Sequence, residues 1–122
     1  MIFLIDDDIS VKRAFELFLE AAELKYNAFE STDDFIAKVN PIAGDIVVLS
    51  VSLPGISLCD HLKKIYLADF HIPIIVITVY DDAQSQSCCR RYGVIACLRK
   101  PVDGEALVDL IKYNLPMKFS KT

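Results

Sequence analysis

Asp45-Ile46-Val47-Val48-Leu49-Ser50-Val51-Ser52-Leu53-Pro54-Gly55 holds a dense β-branched run that stops at a proline and a glycine. Its β-branched and aliphatic residues run without polar alternation, and Leu53-Pro54-Gly55 ends them in a turn. Such a run fits a strand covered on both faces, at the centre of a parallel sheet. Upstream, Met1 to Ile5 reads as a first strand of the same kind and Tyr26 to Phe29 as a short second one. Between them, Ser10 to Leu24 carries Val11, Ala14, Phe15, Phe18 and Ala22 at helical spacing, opposite Lys12, Arg13, Glu16, Glu20 and Glu23. That pattern is an amphipathic helix. Ser31, with Asp34 three residues on, resembles a capping box opening a second helix with Phe35, Ile36 and Val39, which Asn40, Pro41 and Gly44 break.

Downstream, Leu58, Leu62 and Ile65 share one helical face, and Pro73 introduces Ile74 to Thr78 as a fourth strand. Asp82 to Tyr92 is the weakest helix, because Gln84, Ser85, Gln86 and Ser87 dilute its apolar stripe; it is a candidate mobile or partner-facing segment. Gly93 stops it, Val94 to Leu98 reads as a fifth strand, and Asp103 caps a last helix with Leu107, Leu110 and Ile111. The polar tail from Pro116 to Thr122 is expected to fray. Strands alternating with helices in this way predict a three-layer α/β sandwich in a single domain over residues 1–122.

Composition narrows the function classes. At 122 residues and 53% apolar, the chain can bury a core without staples. A formal charge of -4 disfavours phosphate backbones, so this domain alone is not expected to bind nucleic acid. Its apolar runs are far shorter than a membrane span, and Met1 to Ile5 meets Asp6, Asp7 and Asp8 without a basic leader. No membrane contact and a cytoplasmic location are expected. Cys59, Cys88, Cys89 and Cys97 form no CxxC pair, so reduced structural thiols are expected, oxidation at the vicinal Cys88 and Cys89 being the functional alternative. His61 and His71 have no partner at metal spacing and are expected at the surface.

Open parallel sheets gather their chemistry at the carboxyl ends of the strands. Here Asp6, Asp7 and Asp8 follow the first strand, Ser50 and Ser52 surround the end of the third, Thr78 closes the fourth and Lys100 follows the fifth. Carboxylates are hard oxygen ligands for Mg2+, a lysine offsets phosphate charge, and a hydroxyl donates to an equatorial oxygen, so the group suits phosphoryl chemistry.

At these residues the chain resembles the receiver domain of bacterial response regulators over nearly its whole length. Ile5-Asp6-Asp7-Asp8 looks like the acidic pocket, Ser50-Val51-Ser52-Leu53-Pro54-Gly55 the phosphoacceptor loop, Ile77-Thr78 the switch hydroxyl, and Lys100-Pro101 the phosphate-contact lysine with its proline. The resemblance implies a doubly wound (βα)5 flavodoxin-like fold, a parallel five-stranded sheet in the order 2-1-3-4-5, and a cis Lys100–Pro101 peptide. It further implies Mg2+ held by Asp7 directly, by Asp6 more weakly and by the Ser52 backbone carbonyl. Expected partners are a histidine kinase or a downstream effector protein. A homodimer is expected through the fourth helix, fifth strand and fifth helix, a face that Arg90, Arg91, Tyr92, Asp109 and Lys112 would populate.

Two positions depart from the family. Ser50 stands at the phosphoacceptor position, where the family has aspartate, and Asp45 lies at the wrong end of the strand to substitute. A serine hydroxyl is neutral near pH 7 and needs an activating base, so ordinary phosphotransfer should fail, and one carboxylate fewer should weaken Mg2+. Cys97 occupies the aromatic-switch position three residues before Lys100, filling part of the core or the outer face of the fifth strand. The expectation is a degenerate pseudo-receiver in two-component phosphorelay signalling that acts by protein contact, with no catalytic residue and no enzyme activity. An engineered, phosphorylation-blocked receiver would more usually carry Asn, Ala or Glu, so Ser50 is read as native. A haloacid-dehalogenase-like phosphatase loosely fits Asp6-Asp7-Asp8-Ile9-Ser10, but its acidic pair should follow the lysine, and Asp81-Asp82 precede Lys100. A passive interaction domain with a vestigial pocket would show no thermal shift with Mg2+ or a phosphate mimic.

Overall fold

Five strands alternate with five helices along the computed structural model, which describes residues 1–51, 56–79 and 82–115. The strands are β1 (Ile2–Asp6), β2 (Tyr26–Phe29), β3 (Ile46–Val51), β4 (Ile74–Thr78) and β5 (Ala96–Arg99). The helices are α1 (Ile9–Ala21), α2 (Thr32–Lys38), α3 (Ile56–Leu67), α4 (Ala83–Arg91) and α5 (Gly104–Asn114). Hydrogen bonding orders the sheet β2-β1-β3-β4-β5 with every neighbouring pair parallel, the order implied by the resemblance.

Every residue of β1, β3 and β4 is buried, because the strand period of two sends alternate side chains into two separate cores. Phe3, Ile5, Val47, Leu49 and Val76 face Phe35 of α2 and Leu58, Leu62 and Ile65 of α3. Ile2, Leu4, Ile46, Val48 and Ile75 face Phe15 and Leu19 of α1 and Leu107 and Ile111 of α5. Two covered faces leave no place for a polar alternation. Phe35, fully buried, meets the rings of Phe3, Phe29 and Phe70 at 5.4, 5.6 and 5.7 Å, two of them edge-on.

The starts of α2, α4 and α5 agree with the sequence, while α1 begins at Ile9, one residue before the expected Ser10. Ser31 accepts the Asp34 N–H at 3.0 Å, Asp82 the Ser85 N–H at 2.7 Å and Asp103 the Glu105 N–H at 3.0 Å. Element ends agree less well. The first helix stops at Ala21 instead of Leu24, since Glu23 turns left-handed at φ 59° and the Leu24 N–H returns to the Leu19 carbonyl at 3.0 Å. The fifth strand begins at Ala96 instead of Val94, because the Val94 N–H still closes α4 on the Cys89 carbonyl at 3.0 Å. Gly93, at φ 68°, makes that helix stop as expected.

The cysteines require a correction. Cys59 on α3 and Cys88 on α4 form a disulfide with a Cα separation of 5.6 Å, so they are not reduced thiols, and the vicinal pair is not the one that bonds. The partners lie 29 residues apart and meet only because α3 packs against α4, a contact that spacing along the chain does not reveal. Cys89 is free and buried. Cys97 is free and exposed, paired with Val76 of β4 on the face of the sheet that carries α3 and α4. Among the described residues no helix is long and apolar enough to cross a membrane.

Candidate functional site

Strand register brings the predicted residues to one edge of the sheet. Asp6 pairs with Ser50, Val51 with Thr78, and Thr78 with Arg99, the residue before Lys100. Alternation places Asp6 on the side of Ile2 and Leu4, and Ser50 on the side of Ile46 and Val48, which is the same face of the sheet. Directly paired residues on one face of adjacent strands are close neighbours.

Asp6 is 0% exposed. Its Oδ1 accepts the Asp8 N–H at 2.9 Å, while its Oδ2 is buried with no hydrogen-bond partner among the described residues. Burial pushes its carboxyl above the ordinary range, and the charge of Asp7 adds to this; the Ser50 hydroxyl, the Asp8 N–H and the Lys100 charge draw it part of the way back. Ser50 is 3% exposed, and its Oγ lies near enough to act on Asp6 without closing a hydrogen bond of good geometry. Asp7 is exposed beside this pair. Asp8 is otherwise engaged, its Oδ1 capping α1 by accepting the Ser10 and Val11 N–H groups at 2.9 and 3.3 Å.

Thr78 is buried at the end of β4, and its carbonyl accepts the Lys100 N–H at 2.8 Å. Lys100 is half-buried, and the Lys100–Pro101 peptide is cis. Asp45 sits at the opposite end of β3, where Oδ2 accepts the Ile42 N–H at 2.8 Å and Oδ1 pairs with the Met1 amino group at 3.2 Å. It is remote from Ser50, as its sequence position requires. Ser52 and the Leu53-Pro54-Gly55 turn lie outside the described residues, as do Asp81 and the tail from Pro116.

The donor set suits a divalent cation. Mg2+ keeps several waters and takes one or two carboxylates, and the orphaned Asp6 Oδ2 beside the accessible Asp7 supplies that much. Among the described residues no three His, Cys, Asp or Glu side chains come together as a metal cluster, so the pocket depends on its two acids. Ser50, with no imidazole set against it, is a weak nucleophile.

Two side chains fall elsewhere than the sequence suggests. His61 is half-buried instead of lying free at the surface, its Nδ1 2.8 Å from Thr32 Oγ1 at the start of α2. Sequence carries no sign of this, since the contact spans 29 positions and depends on α2 packing against α3. Tyr92 turns toward α3, its ring 5.6 Å from that of Tyr66, in a groove it shares with Lys63 and Arg91, while Arg90, Asp109 and Lys112 are exposed. His71 is exposed, 2.7 Å from Asp69.

A family model described as the response regulator receiver domain matches residues 2–112. The chain belongs to that family. The receiver is 30% identical over 111 residues to Nodulation protein W of Bradyrhizobium diazoefficiens, covering 91% of this chain and 49% of that protein. It is 27% identical to the transcriptional regulatory protein FixJ of Azorhizobium caulinodans, covering 93% of this chain and 54% of that protein. The receiver thus spans about half the length of these curated relatives. Among solved structures, response regulator StyR superposes with a TM-score of 0.79 at 28% identity, covering 93% of this chain and 58% of that one. Vibrio cholerae CheY4 shares the fold, with a TM-score of 0.77 at 20% identity and coverage of 93% and 97%.

The environment of His61 predicts a pH effect. Burial holds its pKa below the ordinary 6.5, and Lys64 adds to this against the opposing charges of Asp7, Asp33 and Asp60. Below 6.5 the unfolded chain takes up a proton that the folded receiver refuses, so stability falls on acidification until the lowered folded value is reached. His61→Gln is expected to remove this slope, visible in urea melts compared across that window.

Proposed function

We propose that this receiver is a pseudo-receiver, signalling by protein contact without an aspartyl phosphate. The observation that carries the reading is Ser50, buried and register-paired with Asp6 at the end of β3, where a carboxylate would have to stand. Asp6 and Asp7 would hold Mg2+ weakly, with the Ser52 backbone carbonyl as the further ligand that the family resemblance implies. Thr78 and Lys100 supply the hydroxyl and the charge that would face a phosphoryl group or its mimic. The metal, when bound, would neutralise phosphoryl oxygens; the chain's own residues position that charge and leave the attacking group neutral.

The protein works in the cytoplasm, with residues 1–122 forming a single receiver domain. Its partner is a histidine kinase or an effector protein, met through α4, β5 and α5, the face that would also serve a homodimer. It neither catalyses a reaction nor binds nucleic acid by itself. Incubation with acetyl phosphate and Mg2+, read by intact mass, tests the proposal. The expected result is no added phosphoryl group. A hydroxylamine-labile adduct would reveal an acyl phosphate and overturn the reading, and a stable one would locate an ester on serine. Turnover of a phosphatase substrate that is lost in Asp6→Asn would replace it with an enzyme.

A further inference from the structure

All four cysteines meet around α4. Cys59 and Cys88 join α3 to α4, and Cys89, the next residue of α4, interacts with Cys97 of β5. Beyond these, the Tyr92 ring at the C-terminal end of α4 meets Tyr66 of α3. The buried residues of α4 are Ser85, Cys88 and Cys89, and the Ser85 hydroxyl has no hydrogen-bond partner among the described residues. The other helices each bury at least one large apolar side chain: Phe15 and Leu19 in α1, Phe35 in α2, Leu62 in α3, Leu107 in α5. Helices in proteins are held chiefly by such packing, so the attachment of α4 rests on its sulfur contacts more than that of any other helix.

We propose that Cys59 and Cys88 form a reversible thiol–disulfide site that clamps α4 to α3 when oxidised and loosens it when reduced. The chemistry needs a small disulfide such as oxidised glutathione. Cys59 is the entry thiol, being more open to solvent than Cys88, which is 7% exposed. Its thiolate attacks one glutathione sulfur, the glutathione S–S bond breaks, and one glutathione thiol leaves. Cys88, deprotonated, then attacks the Cys59 sulfur; the protein disulfide forms and the second glutathione thiol leaves. The protein gives up two protons and two electrons, and the small disulfide takes up both. Cys89 does not compete, because burial and the neighbouring Cys97 push its thiol up to about 12 and keep it protonated. A protein disulfide in a compartment buffered by thiols is typically transient or redox-sensing, which is the behaviour expected of this pair.

The test equilibrates the intact protein in glutathione buffers of graded oxidation, quenches an aliquot in acid and blocks free thiols with N-ethylmaleimide after denaturation, so that the buried Cys89 also reacts. Intact mass, peptide mapping and amide hydrogen exchange are then read. The expected result is conversion from four labels to two, a cross-link mapped to Cys59–Cys88, and exchange in α4 slowed at least about tenfold on closure, with β1 and β3 unchanged. Cys97→Ser should still lose two labels on closure, from three to one, while Cys59→Ser should keep its three throughout. Four labels in oxidising buffer, a cross-link mapped to Cys89 with Cys88 or Cys97, or equal α4 exchange in both forms would overturn the proposal. Should Cys59→Ser fail to fold, the wild-type exchange comparison decides alone. These readouts are independent of Ser50, so their failure leaves the pseudo-receiver reading untouched.

Discussion

Replacing Ser50 with Asp is expected to lower the stability of the metal-free receiver by about 2–4 kcal/mol and to raise its Mg2+ affinity at least about tenfold. The new carboxylate would enter a position 3% exposed, beside Asp6 at 0%, with Asp7 adjoining. An ionised group taken out of water without a partner is costly, and a like charge alongside increases the cost. The same crowding is what a divalent ion relieves, so millimolar Mg2+ should restore much of the lost stability in Ser50→Asp and much less in the wild type. Denaturant melts with Mg2+ and with a chelator measure both effects. Equal stability and equal Mg2+ response in the two proteins would remove Ser50 from the pocket. Recovery of phosphorylation is a weaker expectation, because Cys97 also departs from the family, and its exposed thiol cannot supply an aromatic ring that swings inward.

The sheet was legible in the sequence because β1, β3 and β4 are covered on both faces and announce this by unbroken apolar runs. Ser31, Asp82 and Asp103 likewise marked the starts of their helices, since a capping side chain acts within three residues of itself, whereas the Asp8 cap of α1 was hidden in the acidic run. The site was legible for a similar reason: strand ends in a parallel sheet share an edge, so a polar residue after each strand belongs to one place. Boundaries were less readable where backbone geometry prevailed over residue type. Glu23 takes a left-handed turn usually left to glycine, and the end of α4 uses the Val94 N–H that a strand would have needed. Contacts between helices were the least readable of all. The Cys59–Cys88 bond, the His61 to Thr32 contact and the Tyr66–Tyr92 pair each join residues from different helices or their ends, and no local pattern encodes how those surfaces meet.

Asp6→Asn tests the same pocket from the opposite side, and the expected result is a metal-free receiver more stable at neutral pH by a margin that closes in acid. The sign follows from the raised carboxyl. The folded protein holds the Asp6 proton through a window above 3.8 in which the unfolded chain has already lost it, so stability falls as pH rises from 3.8 through the folded value. Above that window the whole cost of burying the charge is present; below 3.8 none of it is. Asn carries no charge at any pH, so the gain from the substitution should be greatest at neutrality and vanish in acid. Its amide nevertheless keeps an oxygen to accept the Asp8 N–H, which separates the removal of charge from the loss of that turn. In the Ser50→Asp background the gain should exceed that in the wild type by more than about 1 kcal/mol, since two paired carboxylates repel where a carboxylate and a hydroxyl do not. Additive effects would mean that the two side chains do not share a pocket. In both backgrounds Asp6→Asn should diminish the Mg2+-linked thermal shift, tying the stability cost of the buried acid to its use as a ligand.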